Sequence, residues 1–515
     1  EEVAGDSGNI MGFAGDEAAA SARSWLATVT SDATATTAVA AVSSAVSSAV
    51  TAGSSGGSSG GLSTVTLGTG VDEMSGTTFD ASLTASGTQT LNSLDKLTGT
   101  GATNDTVNAT LNTSVTPAGL TNIEVINVST ATNAVTLGLV NANALTTLNV
   151  AGASGGAFTA SGLSSSVALA VADSAVDHTI TFNDVTGTSD AVTVTVAGLT
   201  GGAATELTMA GVEGVTIASS GSANDFDLVA TSATSLTITG SADITLANLT
   251  TAGTDSLTSI DASAATGAVS VTTGNLDIGS TDVAITGGSG ADTLNAGAHA
   301  GSDVNISGGA GNDVITINAG TDTVSGGDGT DVLAIGTAVN ALDTVTGIET
   351  LRATAAVAQD FDGISGGSTI TRVEDGVGGN TAISFTDVSA NVATLALATV
   401  ANTNTVTVDR KTDTGADSLT VVSRGANQTT LTANDEETLT VDSSVAATTI
   451  TTLNAADLST LTITGDEGLT IATLAGNEGM TAFAEALKPN DKFPMGSLGT
   501  LAEERPQRRA ARQRA

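Results

Sequence analysis

Apolar and polar residues alternate in short runs along most of the chain after residue 62. Clear examples are Val192-Thr-Val-Thr-Val196, Leu236-Thr-Ile238 and Val406-Thr-Val408. Alternation with period two predicts strands that bury one face and expose threonines on the other. These runs recur about every 8–14 residues, separated by Gly, Asn, Asp or Ser, and therefore predict an extended all-β chain. For residues 62–286 both a β-solenoid and a string of β-sandwiches fit, because no strict period is visible.

Residues 287–334 carry a second, tighter pattern of nine residues. Three segments, 287–295, 308–316 and 326–334, fit G-G-x-G-x-D-x-U-x at every fixed position, where U is a large apolar residue. A fourth segment, 317–325, keeps Gly320, Asp322 and Val324, and a fifth, around Gly301 and Asp303, is looser. This nonapeptide is typical of the calcium-binding β-roll, so we expect the block to bind Ca²⁺.

The residue types suit that metal. Glycines allow tight turns that point carbonyl oxygens inward, and each aspartate adds a carboxylate; oxygen ligands of these two kinds are what Ca²⁺ prefers. The apolar residue of each strand (Leu294, Ile315, Val324 or Leu333) is expected to point into the roll. The predicted calcium ligands are Gly287, Ser289, Asp292, Gly308, Ala310, Asp313, Gly326, Asp328, Asp331, Asp303 and Asp322.

The spacing of the aspartates predicts which turns stack. If two nonapeptides make one coil, the three complete motifs lie on one side and the two degenerate ones on the other. We therefore predict one site between Asp292 and Asp313 and another between Asp313 and Asp331. A weaker site is predicted between Asp303 and Asp322. The alternative is a Gly/Asp-rich loop without metal.

A longer recurrence surrounds this block. A Gly/Asp turn and a short strand are followed by Ile-Glu at Ile123-Glu124 and again at Ile348-Glu349, with weaker echoes at Glu213 and Glu437. Partial nonapeptide turns begin near residues 68, 253 and 415. Each could be a degenerate calcium turn, but we favour hairpin turns for them.

Charge and composition narrow the function. The formal net charge is −39, which argues against nucleic acid and anionic membranes as partners and favours divalent cations. Cysteine is absent, which excludes disulfides and thiolate metal sites. No apolar run approaches the ~20 residues of a membrane-spanning helix, so we expect no membrane insertion.

Catalysis is not expected. The chain lacks H-E-x-x-H, and a Ser-His-Asp triad would have to use His178 or His299. His178 begins a plausible strand and is expected at the surface or a sheet edge, whereas His299 lies inside the nonapeptide block. Carboxylate pairs are plentiful, but sugar-cleaving sites generally use aromatic platforms, and aromatic residues make up only 2% of the chain.

The composition divides the chain into six segments. We predict an Ala/Ser-rich, weakly helical N-terminal segment (1–52), a Gly/Ser linker (53–61) and Thr/Val-rich β domains (62–286). The calcium β-roll (287–334), a second Thr/Val-rich β domain (335–475) and a basic, partly disordered tail (476–515) follow.

The nonapeptide block resembles the RTX (repeats-in-toxin) β-roll. Together with the Thr/Val repeats, the turns leading to Asn122-Ile-Glu-Val-Ile-Asn-Val128 and the strand Leu145–Val150, it makes the chain similar to calcium-dependent bacterial surface-layer proteins. That resemblance implies a secreted, cell-surface protein, exported by a type I system, whose copies assemble into a layer anchored to surface polysaccharide. The arginine-rich C-terminus departs from that family.

Three functions therefore remain. The first is a self-assembling structural protein of a surface layer, coat or filament. The second is a calcium-dependent adhesin or biofilm-matrix protein that binds polysaccharide. The third is the non-catalytic part of a larger secreted enzyme.

Overall fold

The computed structural model describes residues 64–101, 104–152, 155–250, 257–273, 282–296, 303–317, 322–340, 343–398, 403–425, 427–475 and 482–485. The chain divides into two units, residues 1–64 and 65–515, and all described residues except Thr64 belong to the second. The expected helix in the N-terminal segment, the Gly/Ser linker and the basic tail lie outside the described residues.

Nearly all the regular secondary structure of the described residues is strand. Strands β1 to β20 are Thr64–Thr66, Glu73–Ser75, Thr78–Ala81, Lys96–Thr98, Thr106–Leu111, Gly119–Thr121, Val125–Thr130, Val135–Gly138, Thr147–Ala151, Phe158–Leu163, Ala168–Ser174, His178–Phe182, Ala191–Leu199, Gly202–Met209, Gly214–Ser219, Asn224–Val229, Ser235–Gly240, Ile244–Thr250, Ser259–Ala265 and Val269–Thr272.

Strands β21 to β40 continue in the same manner. They are Val283–Thr286, Thr293–Asn295, Val304–Ala310, Val314–Ile317, Thr323–Asp328, Val332–Ile335, Thr344–Thr346, Thr350–Ala353, Ala358–Asp360, Arg372–Asp375, Ala382–Val388, Thr394–Ala396, Thr403–Arg410, Ser418–Val422, Asn427–Thr432, Thr438–Asp442, Thr448–Asn454, Thr460–Thr464, Leu469–Ala475 and Ala482–Glu485. The only helical segments described are two short 3-10 helices, η1 (Phe361–Gly363) and η2 (Gly367–Thr369).

Successive strands alternate between two parallel sheets, which is the arrangement of a β-solenoid. The odd-numbered strands form a 14-stranded sheet, β1 to β27, and a 6-stranded sheet, β29 to β39, with η1 and η2 near the junction. The even-numbered strands form a 3-stranded sheet, β2 to β6, and one long sheet from β8 to β40. In this long sheet β8 pairs with β10 and β40 pairs with β38.

The all-β prediction is confirmed, and the solenoid is the correct alternative for the Thr/Val-rich region. One expectation was wrong. The partial turns near residues 68 and 415 are not hairpins, because the strands around them pair in parallel, one coil apart. The third partial turn, near residue 253, lies mostly outside the described residues.

The interior is a continuous stack of apolar side chains, most of them aliphatic, and it includes the fully buried phenylalanines Phe79, Phe158, Phe226 and Phe385. In the even sheet Leu294 lies beside Ile315, Ile315 beside Leu333 and Leu333 beside Leu351, each at most 1% exposed. Val324 is equally buried in the odd sheet. The prediction that the apolar residue of each nonapeptide points inward is confirmed. Burying each such side chain contributes about 1.5–3 kcal/mol.

The nonapeptide block lies within the two long sheets rather than beside them. Its strands β22, β24 and β26 pair with one another and also with β20 and β28 on either side. The division into domains at residues 286/287 and 334/335 stays a prediction.

Candidate calcium site

The aspartates of the three complete motifs form a ladder. The backbone N–H of Asp292 donates to Oδ1 of Asp313, and the N–H of Asp313 donates to Oδ1 of Asp331, both at 2.8 Å. The three side chains are at most 1% exposed. The second step spans 18 residues, or two nonapeptides per coil. The structure thus brings these three aspartates together on one side, as the spacing suggested.

Both ends of the ladder continue beyond the block. The N–H of Asp331 donates to Oε2 of Glu349 at 2.9 Å, and Oδ1 of Asp292 accepts from the N–H of Val269 at 2.8 Å. Glu349 was not among the predicted site residues. The signal was nevertheless present, because Glu349 belongs to the Ile-Glu recurrence.

Two carboxylate oxygens of the ladder lack a partner. Oδ2 of Asp313 and Oδ2 of Asp331 are buried and accept no hydrogen bond from any described residue. In Asp292 the corresponding oxygen accepts the N–H of Gly288 at 2.6 Å. A buried carboxylate oxygen without a donor is strongly unfavourable unless a cation compensates it. The unpartnered oxygens therefore mark where a metal fits.

Backbone carbonyls converge on the same two oxygens. A Cβ atom placed on Gly308 would lie 2.2 Å from Oδ2 of Asp313 and 2.5 Å from the carbonyl oxygen of Gly326. One placed on Gly326 would lie 2.5 Å from Oδ2 of Asp331 and 1.9 Å from the carbonyl oxygen of Gly347. The first glycine of each motif thus leaves space between a carboxylate and a carbonyl, the mixed oxygen set that Ca²⁺ takes.

The turns of the three complete motifs are not alike. Four glycines of the second and third motifs have positive φ: Gly309 (107°), Gly311 (116°), Gly327 (110°) and Gly329 (148°). Their counterparts in the first motif, Gly288 and Gly290, do not have positive φ. The first turn therefore differs in backbone as well as in the capped carboxylate of Asp292. We name residues 308–313 and 326–331 the open turns.

The remaining predicted carbonyl ligands lie in the same stack of turns. The N–H of Ser289 donates to the oxygen of Ala265, and that of Ala310 to the oxygen of Gly288, each at 3.0 Å. The carbonyl oxygen of Asp328 accepts from the N–H of Gly311 at 2.8 Å, while its side chain is exposed. Gly287 is the first residue of the first motif, and a Cβ atom placed on it would lie 2.1 Å from the carbonyl oxygen of Gly308. Coordination by these residues stays a prediction.

A second ladder lies on the other side of the coils. The N–H of Val304 donates to Oδ1 of Asp322 at 3.0 Å, and the N–H of Asp322 donates to Oδ1 of Asp343 at 2.8 Å. Val304 is in register with Asp322, and Asp303, the residue before it, is exposed. The neighbour of Asp322 that sequence reasoning missed is Asp343. The repeated Asp-Thr-Val at residues 322–324 and 343–345 was its signal.

Burial raises the pKa of the ladder carboxyls. The pKa of Asp313 rises to about 6, mainly through desolvation and further through the neighbouring charges of Asp292 and Asp331. Desolvation also raises the pKa of Asp322 to about 6 and raises the pKa values of Asp292 and Asp331. Bound calcium would reverse this trend, because a nearby cation favours the ionised carboxylate.

Related turns recur where the complete nonapeptide is absent. The N–H groups of Asp105, Asp190 and Asp417 donate to a glutamate one coil later, at 2.9, 2.9 and 2.6 Å; the acceptors are Glu124, Glu213 and Glu437. This contact explains the Ile-Glu recurrence. In each of these turns the aspartate also accepts an N–H from its own loop, at 2.6 Å in the case of Thr100 and Asp105. We name them the closed turns.

Of the two histidines, the structure describes His178. His178 begins β12, as expected, but it is 0% exposed, so the expectation of a surface or edge position was wrong. Its Nε2 lies 2.7 Å from Oγ of Ser174, and burial lowers its pKa to about 4. Ser174 is also buried, at 2% exposure. His299 lies outside the described residues.

Comparison with known families agrees with this geometry. Residues 282–300 and 305–333 match the RTX calcium-binding nonapeptide repeat (4 copies). These repeats bind calcium, so the block between β21 and β27 is a calcium-binding β-roll. RTX repeats occur typically in secreted structural or adhesin proteins and also in some enzymes. No curated protein matches the chain. No described helix is long and apolar enough to cross a membrane.

Proposed function

We propose that this protein is an extracellular structural protein, stabilised by calcium, whose copies assemble into a bacterial surface layer or a related coat or filament. The observation that carries the proposal is the pair of buried, unpartnered carboxylate oxygens of Asp313 and Asp331 inside the RTX block. The block lies in the middle of a continuous solenoid, so the metal would stabilise a long structural element rather than an isolated loop.

The mechanism is linkage between metal binding and folding. Without metal, the stacked carboxylates oppose folding because they are desolvated and repel one another. A ligand that binds only the folded state stabilises it in proportion to the logarithm of its concentration. Export in an unfolded form, followed by folding in extracellular calcium, is consistent with this linkage. Copies of the chain are then the main partner, with surface polysaccharide as the anchor.

A calcium-dependent adhesin or matrix protein is the second candidate. The observation that favours it is the ordered threonine rows on the outer faces, where Thr394, Thr420, Thr440 and Thr462 lie side by side in successive coils. Such hydroxyl rows offer regularly spaced donors and acceptors to a polysaccharide. Neither candidate requires catalysis, and the absence of an enzyme activity stays a prediction.

A calcium titration of the purified chain tests both candidates. Circular dichroism reports folding, while light scattering and negative-stain electron microscopy on the same samples report assembly. Folding together with ordered sheets or fibres would support the structural proposal. Folding of a protein that stays monomeric and binds polysaccharide would favour the adhesin. No response to calcium or to a chelator would contradict both.

A further inference from the structure

Three arginines surround a single glutamate on the outer face of the even sheet. Glu374 in β30 accepts the Nε–H of Arg352 at 2.6 Å, the Nε–H of Arg372 at 2.8 Å and an Nη1–H of Arg424 at 2.8 Å. Its side chain is only 5% exposed, whereas those of the arginines are 30%, 32% and 19% exposed. Three guanidinium groups against one carboxylate leave a positive excess that faces solvent. We name these three residues the arginine patch.

The patch is unusual for this chain, which has 14 Lys and Arg against 53 Asp and Glu. It also differs from the buried Arg410, which donates to Glu436 and to the carbonyl oxygens of Ser389, Val392 and Ser418. Arg410 is thus satisfied within the fold. In the arginine patch each guanidinium makes one described contact with Glu374. Arg352 and Arg372 use Nε–H for it, so their terminal N–H groups are left for another partner, whereas Nε of Arg424 is buried.

The same coils carry a carboxylate cluster beside the odd sheet. Asp409 in β33 is exposed and lies close to Asp435 and Asp387. Partial burial and the charges of these two neighbours raise the pKa of Asp409. The backbone N–H of Arg410 donates to Asp435, and Lys411, which pairs with Asp362, also lies near Asp387; no described cation pairs with Asp409 itself. We name Asp387, Asp409 and Asp435 the carboxylate cluster.

The two charged surfaces point away from each other. Leu351 and Val373 of the even sheet are buried, so their neighbours Arg352 and Glu374 point outward. Val408 of the odd sheet is also buried, and Asp409 beside it points outward. Because the two sheets enclose one interior, the arginine patch and the carboxylate cluster lie on opposite outer sides of neighbouring coils.

We propose that the arginine patch of one copy binds the carboxylate cluster of a second copy. The contact joins two different surfaces, so a pair of copies keeps one arginine patch and one carboxylate cluster unused. Head-to-tail contacts of this type do not close on themselves unless a rotation brings them into a ring, and they otherwise extend into open rows. The inference rests on the proposed self-assembly and names the contact responsible for it.

A charge-reversal cycle on the full chain in calcium tests this contact. Arg372→Glu or Asp409→Lys alone should raise the protein concentration needed for assembly by about tenfold or more, because like charges then face each other. The double variant carries both reversals and should assemble again. Lys96→Glu and Asp225→Lys make the same charge changes at exposed sites elsewhere and should assemble like the wild type.

Calcium-dependent unfolding of every variant must match the wild type, and Arg372→Gln replaces Arg372→Glu if the latter fails to fold. Assembly of both single variants at the wild-type concentration would overturn the proposed contact and leave the proposed function intact. Loss of binding to an anionic polysaccharide in Arg372→Glu, with assembly unchanged, would also overturn it in favour of a glycan. A wild-type chain that never assembles would instead refute the proposed function itself.

Discussion

The open and closed turns of this solenoid share one backbone hydrogen-bond ladder but differ in how the aspartate side chain is satisfied. In both, an aspartate N–H donates to a carboxylate one coil later, as Asp313 does to Asp331 and Asp105 does to Glu124. The difference is the second carboxylate oxygen. In Asp105 it accepts the N–H groups of Thr100 and Gly101, whereas in Asp313 it is buried without a partner.

This difference distinguishes turns that are complete without an ion from turns that can bind one. A closed turn satisfies its carboxylate with its own loop and is complete without an ion. In both kinds of turn a carbonyl of the next coil lies near this oxygen, as the surroundings of Gly99 and Gly308 show, but in an open turn the oxygen accepts no N–H from its own loop. We infer that calcium replaces the missing loop donor.

The largest expected effect comes from removing the aspartate of each kind of turn. Asp313→Ala should abolish most of the calcium-linked stabilisation, which amounts to about 2.7 kcal/mol per site at a calcium concentration 100 times Kd. Asp105→Ala leaves loop N–H groups without acceptors and should lower the free energy of unfolding by about 1–3 kcal/mol, equally with and without calcium. Denaturant unfolding in calcium and in chelator measures both changes.

Asp303→Ala is the matched control, because Asp303 is an exposed aspartate of the same block. It should reduce calcium-dependent stability less than Asp313→Ala does. Equal losses from the two substitutions would contradict the register of the ladder. A calcium-dependent loss from Asp105→Ala would remove the distinction between open and closed turns.

A smaller effect is expected from pH, with opposite signs in the two metal states. Without calcium, the pKa of Asp313 is raised to about 6 in the folded state, so its contribution to stability is present below about pH 4 and is lost as the pH rises through about 6. With calcium the bound carboxylate must be ionised, so calcium-linked stability should increase over the same range.

Thermal unfolding between pH 4 and pH 7, in calcium and in metal-free buffer, measures both slopes. Comparison with Asp313→Asn isolates the contribution of this side chain, since asparagine has nearly the same shape and does not titrate. Parallel slopes in the two buffers, or no change in Asp313→Asn, would show that the open turn does not couple protons to calcium.

The sequence predicted the calcium block well because its motif repeats at fixed spacing. Two turns of nine residues place Asp313 and Asp331 one coil apart, and the pairing of the buried Ile315 with Leu333 follows from the same count. Outside the block the coils vary in length: the ladder step is 19 residues from Asp105 to Glu124 and 23 from Asp190 to Glu213. No strict period survives such variation, which is why the solenoid could not be separated from sandwiches.

The residues that accept hydrogen bonds from the last aspartates of the block were missed for a related reason. Glu349 and Asp343 satisfy aspartates of the block from coils that lack the glycines of the motif. Recognising them requires the register of neighbouring coils, and the sequence offers only Ile-Glu and Asp-Thr-Val as local signals. The first complete motif caps the second carboxylate oxygen of its aspartate, and the second and third motifs do not. Their glycines also differ in φ, and the shared motif predicts neither difference.

The smallest expected effect comes from the glutamates that end the ladders. Glu349 and Glu124 are both half-buried and accept the N–H of Asp331 and of Asp105, each at 2.9 Å. Replacing either with alanine should lower the free energy of unfolding by about 1 kcal/mol.

Because Asp331 belongs to an open turn, Glu349→Ala should also weaken calcium binding, by about tenfold, as loss of a ligand-orienting contact does. Isothermal titration calorimetry with calcium measures this change in affinity, and Glu124→Ala should leave the calcium affinity unchanged. Equal calcium affinities in the two variants would mean that the ladder supports the fold alone and does not hold the open turn ready for the metal.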